Sequence, residues 1–97
     1  MTPEGQVKRR VDRMLNESGV WWFSPQSGPY GRSGIPDRLA CVRGHLVAIE
    51  VKADASKSPT RLQALCMERM RASGAAVFVV YDDVTLNVVR EYIHSCL

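Results

Sequence analysis

Cysteine, histidine and long apolar runs are all scarce in this chain, and each shortage removes a class of protein. Its three cysteines, Cys41, Cys66 and Cys96, are odd in number, widely spaced and form no Cys-x-x-Cys pair. That excludes a disulfide framework and the ligand spacing of a structural zinc site, and predicts reduced, mostly buried thiols in a cytoplasmic protein. The two histidines, His45 and His94, have no partner at metal-ligand spacing and are expected to be solvated. No stretch approaches the roughly 20 apolar residues of a membrane span. The N-terminal stretch from Met1 to Gln6 lacks the apolar core of a secretory signal. Acid is not in excess either: 13 Lys and Arg against 10 Asp and Glu leave a net charge of +3. That balance is compatible with nucleic acid and weak as a signal by itself. At 97 residues the chain predicts one domain, 1–97, with a modest core.

The elements can be read in order. Thr2-Pro3-Glu4 opens a helix with a capping hydroxyl, a first-turn proline and an acid. Val7, Val11, Met14 and Leu15 follow at helical spacing, and Glu4 shares their inward face, while Lys8, Arg9, Arg10 and Arg13 mostly take the others. Residues 20–23 make a short aromatic strand, and 24–34, rich in glycine and proline, a long loop of the kind that carries function. Residues 38–42 and 46–52 flank Arg43-Gly44-His45 as a hairpin. Ser58-Pro59 is expected to open a second helix, with Leu62, Leu65, Cys66 and Met70 as its apolar stripe and Gly74 at its end. The unbroken apolar run 75–81 suits a central strand covered on both faces. Asp82 or Asp83 then caps a last helix carrying Val84, Val88, Val89, Tyr92 and Ile93. The order is α-β-β-β-α-β-α, which predicts an α/β fold with a mixed central sheet flanked by helices.

Ile35-Pro36-Asp37 and, further on, Glu50-Val51-Lys52 carry the chemistry. Strand periodicity puts Leu46, Ala48, Glu50 and Lys52 on one face and Val47, Ile49 and Val51 on the better-buried other. Asp37 and Glu50 can supply the carboxylates of a magnesium or manganese shell, with the Val51 carbonyl as a further protein oxygen. Such a metal polarises a phosphate oxygen and acidifies a bound water. Lys52 would stand beside both, to orient the nucleophile or to stabilise developing negative charge. The competing reading is that Glu50 and Lys52 are a solvent-facing pair on an edge strand, worth little to stability.

The segment Gly34-Ile35-Pro36-Asp37 with Ile49-Glu50-Val51-Lys52 resembles the PD-D/E-x-K nuclease superfamily, whose core order is αβββαβ. The lead-in from Gly31 to Asp37, Gln63 in the next helix and Gly74 before an apolar strand resemble, more narrowly, the VRR-NUC domain of virus-type replication and repair nucleases. The resemblance implies that Asp37 and Glu50 are metal ligands and Lys52 the catalytic lysine. It implies that Glu4 assists the metal site and that Gln63 projects into it. Glu4 reads equally as a first-turn acid favoured by the helix dipole, and Gln63 as a boundary residue satisfying nearby backbone. Related recombination nucleases carry Gln-x-x-x-Tyr in that helix; Met67 stands at the tyrosine place, so that motif is incomplete.

Arg32, Arg38, Lys57 and Arg61 flank the motif and are expected to contact DNA phosphates, with Ser33 and Gly34 either allowing close backbone approach or only shaping the turn into Pro36. Tyr30 is the aromatic expected to touch DNA, whereas Trp21 and Trp22 read as one core and one interface residue. A stand-alone domain of this size would draw selectivity from pairing, so a homodimer matching the two-fold symmetry of a four-way junction follows from size and resemblance. The reading is a Mg2+- or Mn2+-dependent endodeoxyribonuclease selective for branched DNA, in a bacterial or phage-infected cell. The alternatives are a sequence-specific restriction-type or nicking nuclease, and a non-catalytic DNA-binding subunit.

Overall fold

The computed structural model describes residues 1–26 and 31–97. The sequence places Tyr30 in a stretch outside these. Among the described residues, three helices and four strands run in the order α1 (Pro3–Glu17), β1 (Trp21–Phe23), β2 (Arg38–Val42), β3 (His45–Val51), α2 (Arg61–Ala72), β4 (Ala76–Val80) and α3 (Asp83–Cys96). The expected element order is the observed one.

The strands form one sheet in the order β1-β2-β3-β4. β1, β2 and β3 are antiparallel neighbours, and β4 joins β3 in parallel. A two-residue turn, Arg43-Gly44, links β2 to β3, and both residues hold positive φ (51° and 84°) as the right-handed strand twist demands. The parallel β3–β4 pair needs a crossover, and α2 supplies it.

Alternation splits the sheet into two faces. Ala40 and Val42 of β2, Val47, Ile49 and Val51 of β3 and Val80 of β4 pack with Val7, Val11, Met14 and Leu15 of α1 and Leu86, Val89 and Ile93 of α3. On the other face Ala48 and Val77 pack with Met67 of α2. Burial of these side chains is the main source of stability. β3 is thus inner in the sheet and covered on both sides, which excludes an edge-strand reading of Glu50. Among the described residues no helix is long and apolar enough to cross a membrane.

Four expectations need correction. α2 begins at Arg61, capped by Thr60 rather than by Ser58-Pro59. Thr60 Oγ1 accepts from the Gln63 amide at 3.2 Å while Gln63 Oε1 accepts from the Thr60 amide at 2.8 Å. This reciprocal pair outcompetes a proline start two residues earlier. Its apolar stripe is also rotated: Met67 is buried, whereas Leu62 and Leu65 are exposed. α3 likewise turns Leu86, Val89 and Ile93 inward and leaves Val84 and Val88 exposed. The thiols are not mostly buried, since Cys41 is exposed and Cys66 and Cys96 are half-buried. His45 and His94 are exposed, as expected.

Candidate active site

The β2–β3 register sets Arg38 opposite Ile49, so Asp37, one step before β2, comes beside Glu50. Asp37 is fixed there by the backbone: the Val51 amide donates to its Oδ2 at 2.8 Å. Glu50 lies on the α2 side of β3 and is 1% exposed, the one buried charged side chain among the described residues. Its Oε2 sits 3.3 Å from Lys52 Nζ. Its Oε1 is buried and, among the described residues, finds no hydrogen-bond partner.

Such a carboxylate is costly when ionised, because burial removes water and Lys52 satisfies one oxygen alone. Burial first, then hydrogen bonding to and repulsion by Asp37, push the Glu50 carboxyl up to about 7, against the opposing pull of Lys52. Asp37 and Glu50 crowd one corner, and Lys52 leaves one Glu50 oxygen without a partner among the described residues. A buried, orphaned carboxylate oxygen close to a second acid has the chemistry that a divalent cation would complete.

The shift has a consequence for the metal-free protein. Between 4.5 and about 7 the folded chain keeps a proton on Glu50 that the unfolded chain has released. The Glu50 contribution to stability is therefore fully present below 4.5, declines as pH rises through that window and is lost above about 7. Urea unfolding of chelator-treated protein across this range should show the decline, and a curve rising with pH would contradict it. Divalent-cation affinity should move oppositely, tightening toward neutral pH as the proton leaves.

Lys52 follows β3 directly, and its amide continues the parallel pairing by donating to the Val80 carbonyl at 3.0 Å. Its side chain is 13% exposed. Nζ donates to Gln63 Oε1 at 2.9 Å, so the oxygen that closes the α2 cap also holds the lysine. Gln63 thus meets both descriptions offered by the sequence, a backbone-satisfying boundary residue and one turned toward the site.

Gly34 brings the preceding loop onto this corner. Its φ is +82°, and a Cβ there would stand 2.6 Å from the Leu62 carbonyl oxygen. The loop therefore rests on the first turn of α2, and Pro36, buried, delivers Asp37 from it.

α1 contributes more than expected. Lys8 faces the site, contrary to its assignment to an outer face: Nζ lies 3.4 Å from Glu4 Oε2 and 3.6 Å from Asp37 Oδ1. Glu4 reaches Asp37 through this ammonium. Among the described residues no three acidic, histidine or cysteine side chains form one metal cluster, so Glu4 stands off from the Asp37–Glu50 pair. The signal for Lys8 was its i+4 spacing from Glu4, which puts both on one stripe.

Arg38 is not a free DNA-contacting side chain. Its Nε donates to Asp12 Oδ1 at 2.6 Å and its Nη2 to Asp12 Oδ2 at 3.2 Å, while Nη1 donates to the Asp37 carbonyl at 2.8 Å. It also stacks over Trp22 at 5.8 Å. The guanidinium is consumed in tying α1 to the Asp37 backbone. Arg32 and Ser33, by contrast, are exposed and line a cleft of about 340 Å3 with Lys8, Asp37 and Gln63. Lys57 and Arg61 are exposed beside it in sequence. A larger groove of about 660 Å3 runs between the hairpin turn and α2, past Leu46, Leu62 and Leu65. It contains neither acid, whereas the smaller cleft reaches Asp37.

No family model matches the sequence, and no curated protein does. A solved structure described as a VRR_NUC domain superposes with a TM-score of 0.82 and 32% identity, over 95% of this chain and 98% of that one. Agreement at this identity over nearly the whole of both chains joins the fold to the motif: the chain belongs to the VRR-NUC domain family, nucleases of the PD-D/E-x-K type.

Proposed function

We propose that this protein is a divalent-metal-dependent endodeoxyribonuclease that recognises DNA by structure, cutting branched substrates such as four-way junctions as a homodimer. The observation that carries the catalytic part is the buried, unpartnered Oε1 of Glu50 beside Asp37 and Lys52. A binding module has no use for a carboxylate desolvated at that cost.

In this reading Asp37 and Glu50, with the Val51 carbonyl, hold Mg2+ or Mn2+. When bound, the cation supplies polarisation of the scissile phosphate and a water acidified toward neutrality. The remaining work falls to the chain. Water attacks phosphorus in line with the departing oxygen, and Lys52 faces the charge that grows on the phosphate. Gln63 restricts Lys52 to one position, so that little reorganisation is needed as that charge develops. Arg32, Ser33, Lys57 and Arg61 hold flanking phosphates, contacts that carry little sequence information. Contacts of that kind favour shape over sequence as the thing recognised.

Junction preference and pairing rest on symmetry. A C2 dimer presents two equivalent sites, and a four-way junction offers two equivalent strands. Exposed Trp21, Leu46, Leu62 and Leu65 supply apolar surface of the kind a partner covers. The test is a panel of four-way junction, flap, plain duplex and single strand, each with Mg2+, Mn2+ or chelator, alongside sedimentation of the protein alone. Cleavage of the junction above duplex, lost with chelator, is expected from a dimer. Sequence-dependent cutting of plain duplex would favour a restriction-type enzyme, and no cutting of any substrate would remove the catalytic reading.

A further inference from the structure

The site contains two lysines, and they are held differently. Lys52 is 13% exposed and sits between Gln63 Oε1 at 2.9 Å and Glu50 Oε2 at 3.3 Å. Lys8 is 32% exposed, and its two carboxylate contacts are longer, 3.4 Å to Glu4 and 3.6 Å to Asp37. Long, partly solvated ion pairs are weakly bound and readily exchanged. Lys52 is therefore fixed and Lys8 displaceable.

The atom that Lys8 covers matters. Asp37 Oδ2 accepts from the Val51 amide, whereas Oδ1 has no backbone donor among the described residues and is the oxygen nearest Lys8. A cation bound between Asp37 Oδ1 and Glu50 would have an ammonium as its neighbour. The same lysine lines the cleft shared by Arg32 and Ser33, where a DNA phosphate would lie.

We infer that Lys8 is a positioning residue that serves as the resident counter-ion of Asp37, opposing metal binding until a DNA phosphate draws it away. This rests on the metal-dependent reading above and adds a coupling to it. Without DNA, Lys8 lowers the affinity for the divalent cation. With DNA, the phosphate takes over as its partner, and metal and DNA each tighten the other's binding by the same factor. Glu4 then acts by keeping Lys8 near the site rather than by ligating the metal.

The experiment is calorimetric titration of the whole chain with Ca2+, an oxygen-seeking cation, with and without a short duplex. Wild type, Lys8→Met and Lys8→Arg are compared. Lys8→Met is expected to bind Ca2+ roughly three- to tenfold more tightly than wild type when DNA is absent. The added duplex should tighten Ca2+ binding in wild type and have less effect in Lys8→Met. Lys8→Arg, which keeps the charge, should stay near wild type. Unchanged or weaker Ca2+ affinity in Lys8→Met overturns the inference while leaving the nuclease reading intact. So does a Lys8→Arg variant as tight as Lys8→Met, because packing rather than charge would then be responsible. Absence of saturable Ca2+ binding by wild type would sink both readings together.

Discussion

Asp37→Asn and Glu50→Gln should each lower DNA cleavage by at least about a thousandfold, with DNA binding retained. The reason is local: both positions carry the negative charge proposed to attract the cation, and neither belongs to the exposed basic surface proposed to meet phosphates. Glu50→Gln adds a second, opposite signature. The amide cannot ionise, so the metal-free protein escapes the cost of holding a buried carboxylate that titrates at about 7. At pH 8 this variant should be more stable than metal-free wild type. A substitution that removes activity and raises stability marks a residue retained for chemistry. Measured cleavage by purified protein and urea unfolding with chelator check the two halves. Retained cutting by either variant would refute the site.

Gly34→Ala is expected to be the most damaging change outside the charged residues. The positive φ strains any side chain, and the added Cβ meets the backbone oxygen and carbon of Leu62 at 2.6 Å and 2.9 Å, with no flexible atom to give way. The loop must back off from α2 and carry Ile35, Pro36 and Asp37 with it. A displacement near 1 Å at a reacting group costs about a hundredfold in rate. The strain adds a stability loss of about 2 kcal/mol. Gly44→Ala is the control, since its φ is also positive, at +84°, but nothing lies within 4 Å of the added carbon. It should cost about 1 kcal/mol and leave cleavage unchanged. Kinetics and thermal melts of the pair separate the two effects. Equal cleavage by both variants would show that the contact with α2 does not set the position of Asp37.

The element order, the hairpin and the Asp37–Glu50–Lys52 corner were legible because each depends on local rules: caps, a two-residue turn and strand alternation. What was not legible depends on orientation. In α2 two apolar stripes compete, and hydrophobicity alone selects the one with Leu62 and Leu65. The observed rotation keeps the expected Met70 against the sheet and adds Met67 and Gln63, which satisfies the lysine and the helix cap together. In α3 the expected Val89 and Ile93 are buried, but Leu86 joins them in place of Val84 and Val88, for want of any local marker. Arg38 was misread for a related reason. Its partner Asp12 is 26 positions away, and no spacing rule links a helix residue to a strand that distant in sequence.

One oxygen atom, Oε1 of Gln63, accepts hydrogen bonds from both the Thr60 amide and Lys52. The start of a helix and the cationic group of the active site are consequently one mechanical unit. Nothing can loosen that helix end, whether heat, denaturant or an insertion in residues 53–59, without also slackening the lysine. The opposite end of the sheet, at Arg43-Gly44, has no such tether and is where this scaffold would best tolerate a label or a fused segment.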